Sequence, residues 1–271
     1  MNRIDAIFQD LRDRGGKALM PFVTAGDPSV DALPGVLQAV EKGGASLCEI
    51  GLPFSDPIAD GPTIQASMTR ALDAGATVDA ALERVASVRA ELSIGLVAMV
   101  SYSIVHRRGL ARFVTDAVAA GFDGFIFPDL PLQESDAARD AVGEVGAILS
   151  QLVAPTTDPD RAAQIAAAST GFVYVVSRPG ITGESAALPE DLTQRLTALR
   201  QATDTPLAVG FGVSSPAQVG QVCAVADGAI VGSAMVRQMH EAASAGDDPA
   251  VAASERALRL TAELATGLPA R

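Results

Sequence analysis

Eight short runs of Val, Ile, Leu and Ala recur along this chain, each too uniformly apolar for a sheet with one wet face. They cover residues 18–24, 46–52, 95–101, 124–129, 147–153, 171–177, 207–211 and 228–232. Between them lie segments of helical period near 29–42, 63–92 with a break at Ala74-Gly75-Ala76, 106–120, 133–145, 159–168, 190–201 and 216–224, and a last one at 249–264. Helix starts carry polar caps followed by proline, as in Asp27-Pro28-Ser29 and Ser214-Ser215-Pro216. Strands buried on both faces and alternating with helices belong to a parallel sheet covered by those helices. Eight even repeats within 271 residues predict an α/β chain folded as one (β/α)8 TIM barrel domain over 1–271. The competing doubly wound sheet lacks its signature, because no GxGxxG turn follows the first strand.

The opening MNRIDAIFQDLRDRGG places Ile4, Ile7, Phe8 and Leu11 at helical spacing, so an extra N-terminal helix is expected across the bottom of the barrel rather than a secretion signal. No apolar run reaches the roughly 18 residues of a membrane span. A net charge of −12, with only Arg107 and Arg108 adjacent among the basic residues, argues against nucleic acid or an anionic membrane as a partner. Cys48 and Cys223 lie far apart in apolar segments and read as two buried thiols of a reducing cytoplasm. His106 and His240, each without a Cys, His or carboxylate pair nearby, offer nothing for a transition metal. With no Trp and two Tyr, an aromatic stacking platform is excluded.

In a barrel the chemistry belongs at the carboxyl ends of the strands. The second strand and its loop read SLCEIGLPFSDPIADGPT. Glu49 interrupts an apolar run, where a carboxylate must be paired, hydrogen-bonded or protonated, and it is either a structural group or a proton-transfer group. Asp60 follows a loop stiffened by Pro53, Pro57 and Pro62, with Asp56 in its middle as a solvated turn residue or a functional one. Two carboxyls in unequal surroundings have their pKa values pushed apart and so divide acid–base and charge-stabilising roles. The seventh and eighth strands end in GFGVSSP and GAIVGSAM. Gly210, Gly212, Gly232 and Ser233 leave their amides open to an anion, beside a short helix expected to begin near Ser233. A phosphate is expected there. The sixth strand buries Tyr174, a core residue or a pocket one, and opens a long glycine-bearing loop over 178–189, in which Arg178 meets a phosphate or solvent.

The blocks PFVTAGDP (21–28), EIGLPFSDPIADGPTIQ (49–65), DGFIFPDLP (123–131), SRPGITG (177–183), GFGVS (210–214) and GSAMV (232–236) resemble the tryptophan synthase alpha chain family, in order and spacing across nearly the whole chain. The resemblance implies a carbon–carbon lyase that splits indole-3-glycerol phosphate into indole and glyceraldehyde 3-phosphate. It also implies a partner, the β chain, in an α2β2 tetramer in the cytoplasm. Pyridoxal phosphate is then expected in the β chain, and no cofactor in this one. Carried over by position, Glu49 matches the acid–base carboxyl and Asp60 the carboxylate that steadies positive charge on the indole ring. Phe22, Val100, Tyr174 and Phe211 match the pocket lining, and Gly183, Gly212, Gly232 and Ser233 the phosphate amides. Asp56, Arg178 and Thr182 match segments that close the site and meet the partner. Three features depart from the family pattern: SYSIV at 101–105, Phe125 and Phe127 in strand four, and Pro179.

The residues support the same reaction on their own terms. Retro-aldol cleavage needs an electron sink, commonly a lysine Schiff base or a metal. Lys17 precedes the first strand and Lys42 ends the first helix, so the substrate must supply the sink itself. An indole protonated at C3 does so, and needs a proton donor, a base and a nearby anion. Without tryptophan, the pocket must hold that ring with Phe and aliphatic walls. Other readings on the same scaffold are a phosphosugar enzyme, a stand-alone indole-releasing lyase, or a chain whose main task is to activate its partner.

Overall fold

The computed structural model describes residues 1–58, 60–177, 191–210 and 212–269. Among these residues the strands are β1 Ala18–Thr24, β2 Leu47–Gly51, β3 Gly95–Met99, β4 Gly124–Ile126, β5 Ile148–Leu149, β6 Leu152–Val153, β7 Val173–Val176, β8 Leu207–Gly210 and β9 Gly228–Val231. The helices are α1 Arg3–Asp13, α2 Leu33–Lys42, α3 Pro62–Asp73, α4 Val78–Val88, α5 Tyr102–Arg108, α6 Leu110–Ala120, α7 Asp136–Glu144, α8 Pro159–Ala168, α9 Leu192–Ala202, α10 Pro216–Cys223, α11 Ser233–Ala245 and α12 Pro249–Ala265.

Every strand pairing is parallel, in the order β5-β4-β3-β2-β1-β9-β8-β7-β6. The two ends of that order are pieces of one run. Ser150 and Gln151 join them and keep the ladder going on both sides, because the Ser150 N–H donates to Phe125 O at 3.0 Å and the Tyr174 N–H to Gln151 O at 3.0 Å. The fifth expected strand is therefore one stave in two pieces. It is interrupted where the Gln151 N–H donates to the Ser169 hydroxyl instead of a strand carbonyl. Followed once round the ring, from Phe22↔Glu49 through to Gly228↔Ala18, the register returns displaced by eight residues. That is the shear of a closed (β/α)8 barrel.

Closure divides the strand residues by parity. Met20, Leu47, Val97, Ile126, Ile148, Phe172, Tyr174, Ala208 and Ile230 pack together inside the ring. Leu19, Cys48, Ile50, Leu96, Phe125, Leu149, Val175, Val209 and Val231 pack outward against the helices. A shear of eight over eight staves shifts level positions by one residue per stave, so each interior layer draws four side chains from alternate staves. Tracing the register gives Met20, Val97, Ser150 and Ala208 in one layer, then Glu49, Ile126, Tyr174 and Ile230 above it, then Phe22, Met99, Leu152 and Gly210.

The lower end is filled by α1, as its periodicity implies. Ile4, Phe8 and Leu11 are buried with the inward residues, and the Phe8 and Phe172 rings lie 6.0 Å apart. Asn2 caps this helix through the Ile4 N–H, and its amide donates at 2.9 Å to both Asp123 O and Gly146 O. Two expectations change. The segment expected as one helix over 106–120 starts earlier, at Tyr102, and is split by Gly109, whose φ of 85° lies outside helical space. The helix expected to be short at Ser233 runs for 13 residues. Both cysteines are free and buried, and no helix among the described residues is long and apolar enough to cross a membrane.

Because Phe8 plugs the barrel from below, Phe8→Ala is expected to cost about 3 kcal/mol, the lower part of the range for truncating a buried Phe. Urea unfolding of the two proteins measures it.

Candidate active site

Glu49 is the central residue of β2, paired in register with Phe22 on one side and Val97 on the other. Its parity turns it inward, and it is 0 % exposed. Neither carboxyl oxygen has a hydrogen-bond partner among the described residues. Burial therefore holds its pKa well above the ordinary carboxyl range and favours the protonated form. Tyr174 shares its layer. Burial first, and then the Glu49 and Asp60 carboxyls, hold its phenol well above the ordinary range. Only a glycine fits above the tyrosine, since a Cβ on Gly210 would collide with its hydroxyl.

Phe22 lies over Gly51 and forms an apolar cluster with Ile64, Met68 and Val236, with Met99 packed against it. Ile64 and Met68 are one turn apart on the same face of α3, so this helix supplies part of the wall. Sequence reasoning passed over Ile64, Met68, Met99 and Val236. For the α3 pair a signal was present in the i, i+4 spacing, whereas Met99 is identified only by the register of β3 on β2. Val100, the position expected in the lining, packs outward with the helix-facing core but borders a cavity of about 270 Å3, together with Leu52, Phe54, Asp60 and Met99.

Asp60 stands just before α3. Its N–H donates to Pro57 O at 3.0 Å, and Gln65 Nε2 donates to Asp60 O at 2.8 Å and Pro57 O at 3.3 Å. Gln65, the last residue of the PFSDPIADGPTIQ block, thus fixes the turn that presents Asp60. Partial burial pushes this carboxyl up to about 6. Asp56 is exposed on the same loop, accepting from Ser55 Oγ at 2.6 Å, and it lines the 270 Å3 cavity.

Opposite, α11 begins at Ser233 behind Gly232, with no side chain capping its first turn. The free amides of that turn and the positive end of the helix face whatever lies beside Phe22, whose Cβ is 3.8 Å from the Cβ position of Gly232. Gly212, with φ 84°, makes the neighbouring turn. The expected site residues Arg178, Thr182, Gly183 and Phe211 lie outside the described residues, as does Pro179. Phe125 and Phe127 point away from the interior and stack on each other with centroids 5.8 Å apart, so they leave the pocket's shape alone. Ser101 of the SYSIV segment starts α5, and its hydroxyl donates to Asp129 at 2.7 Å. Lys17 is held at the other end of the barrel by Asp227, at 3.3 Å.

Acid–base groups at the carboxyl ends of eight parallel staves put the chain among the (β/α)8 barrel enzymes. The sequence model of the tryptophan synthase alpha chain matches residues 8–265. The alpha chain of Rhodopirellula baltica is 45 % identical over 264 residues, covering 95 % of each chain. Among solved structures, tryptophan synthase from Mycobacterium tuberculosis superposes with a TM-score of 0.88 at 34 % identity, covering 98 % of both chains. The alpha subunit from Legionella pneumophila gives 0.88 at 33 %, also covering 98 % of both. The chain belongs to the tryptophan synthase alpha chain family, lyases of tryptophan biosynthesis that cleave indole-3-glycerol phosphate.

Folding favours the protonated form of Asp60, so its contribution to stability is intact below about pH 3.8 and is lost as pH rises through about 6. Asp60→Asn is therefore expected to stabilise the chain at pH 8 by up to on the order of 3 kcal/mol and to match it near pH 3.5. Urea titrations at the two pH values check the sign.

Proposed function

We propose that this chain is the α subunit of a tryptophan synthase and that Glu49 both gives and takes the proton of the retro-aldol step. Protonated Glu49 delivers its proton to indole C3, and the ring becomes an iminium-like acceptor. Asp60, ionised above its pKa, steadies the positive charge at the ring N–H. The side-chain hydroxyl next to C3 then loses its proton to the Glu49 carboxylate as the carbon–carbon bond breaks. Indole and glyceraldehyde 3-phosphate result, and Glu49 ends protonated as it began.

In this reading the indole ring sits between Phe22, Val100, Tyr174 and Phe211. The phosphate takes the amides of Gly183, Gly212, Gly232 and Ser233. Asp56, Arg178 and Thr182 belong to the segments that close over the substrate and contact the β chain. The one barrel domain works without a cofactor of its own, in the cytoplasm, within an α2β2 tetramer whose β chain holds pyridoxal phosphate and receives the indole. The observation that carries the assignment is a fully buried carboxyl inside the barrel with no hydrogen-bond partner among the described residues, level with Tyr174 and below the Phe22 cluster.

The test is indole release from indole-3-glycerol phosphate by the purified chain, alone and with a β chain. Glu49→Gln is expected to lose at least ~100-fold in kcat, as removal of a general acid–base group does. No indole from the wild-type chain, even with a β chain, overturns the reading. Full activity in Glu49→Gln removes Glu49 from it.

A further inference from the structure

Arg195 stands near the amino end of α9, at the carboxyl end of the barrel. It falls on the flank of that helix's buried face, three residues after Leu192 and four before Leu199. A cation gains nothing from the helix dipole at that end. The guanidinium instead reaches the sheet, where Nη2 donates to Ser177 O at 2.7 Å and Nη1 makes a longer contact with Val176 O at 3.5 Å. The side chain is 23 % exposed, and the carboxylate of Asp191, at the start of the same helix, lies 3.1 Å from Nε.

Ser177 directly follows β7 and is 1 % exposed, so its carbonyl lies beyond the strand ladder and away from water. Its N–H donates at 3.0 Å to the carbonyl of Gly210, the last residue of β8. Gly210 has no room for a Cβ because the Tyr174 hydroxyl fills that space, and two residues further on Gly212 turns with φ 84°. A chain of hydrogen bonds thus runs from Arg195 through Ser177 to Gly210, at the foot of the turn that carries Gly212. Arg3, Arg12, Arg89 and Arg200 make comparable bonds to Ser93 O, Asp204 O, Ile94 O and Thr205 O. Those carbonyls precede β3 and β8, at the opposite end of the barrel, where they brace the fold away from the site.

We propose that Arg195 is a positioning residue for the phosphate end of the site. By holding Ser177 it fixes the joint between the ends of β7 and β8 from which the Gly212 turn departs, and Asp191 keeps the guanidinium in place. The proposal rests on the reading of Gly212, with Gly232 and Ser233, as the amides that take the phosphate. Backbone amides hold an anion only while several of them point at one spot, so a shift of the joint weakens the phosphate contact. Glu49 and the apolar wall of Phe22, Ile64 and Met68 stand on β2, β1 and α3 and are left in place. The planar fork of an arginine addresses two neighbouring carbonyls together, which the single ammonium of a lysine does not.

The experiment compares Arg195→Met, which keeps the apolar stem, and Arg195→Lys in the full chain. It reads kcat and KM for indole release, and the dissociation constants of two probes, glycerol 3-phosphate and indole, by calorimetry. Arg195→Met is expected to raise KM and the glycerol 3-phosphate constant about tenfold, the scale of one hydrogen bond from a charged donor, while kcat and the indole constant stay unmoved. Arg195→Lys is expected to fall between the wild type and Arg195→Met, and it gives the same comparison if Arg195→Met fails to fold. A guanidinium that only anchors α9 to the sheet would lower the urea midpoint and leave the glycerol 3-phosphate constant alone. That result, or an equal weakening of both probes, overturns the proposal. A wild-type chain that releases no indole overturns the proposed function instead, and the calorimetric comparison then decides on Arg195 alone.

Discussion

The closed register of the barrel is the constraint on which the rest depends. Once the ring returns displaced by eight residues, every strand residue is committed either to the interior or to the helices, with no third option. A one-residue slip of β2 would exchange Glu49 with Cys48 or Ile50 and leave a carboxyl against the helices. With α1 packed against the lower end, the carboxyl is fully buried inside the ring. The position of one acidic side chain is thus a property of the whole ring rather than of its local sequence.

That position sets the electrostatics. Glu49 and Asp60 come from the same strand and its loop, but one sits inside the ring with no hydrogen-bond partner among the described residues and the other at the mouth with partial burial. Desolvation raises both, the inner one well above the ordinary carboxyl range and the outer one to about 6, so the two carboxyls stand in unequal surroundings. Both depart from what stability alone would select, since an amide at either position would remove the cost of ionising a buried carboxyl. The polar groups at the amino ends of the strands show the contrary arrangement. Asp123 is paired with Arg3 and Arg89, and Asp227 with Lys17 and Arg200. Paired charges hold the lower rim, whereas Glu49 has no hydrogen-bond partner among the described residues.

Between these ends, α3 links the wall of the pocket to the loop that carries Asp60. Its Arg70 makes a two-pronged pair with Asp27, at 2.6 and 3.2 Å, which ties the helix to the turn after β1. Ile64 and Met68 reach Phe22 from the same helix, and Gln65 holds the turn before it. Movement of α3 would disturb the ring wall and the second carboxyl together, so the geometry of the site is as rigid as that helix.

The alternation of apolar runs with helical segments, the caps and the N-terminal amphipathic stretch were sufficient to read the barrel and its plug from the sequence, because each is a local pattern. Glu49 was legible for the same reason, as one charge inside an apolar run, and so were the glycines that leave Gly232 and Ser233 open. Val100 and Met99 were not separable, since an apolar run does not reveal which parity faces the axis. The split of the fifth stave at Ser150 and Gln151, and the turning of Phe125 and Phe127 away from the pocket, were equally hidden. The sequence by itself determined which residues are buried and in what order the elements follow. Only the tertiary structure decided which buried residues meet, because layers are assembled from alternate staves far apart in the chain, and closure of the ring is what brings Glu49, Ile126, Tyr174 and Ile230 to one height.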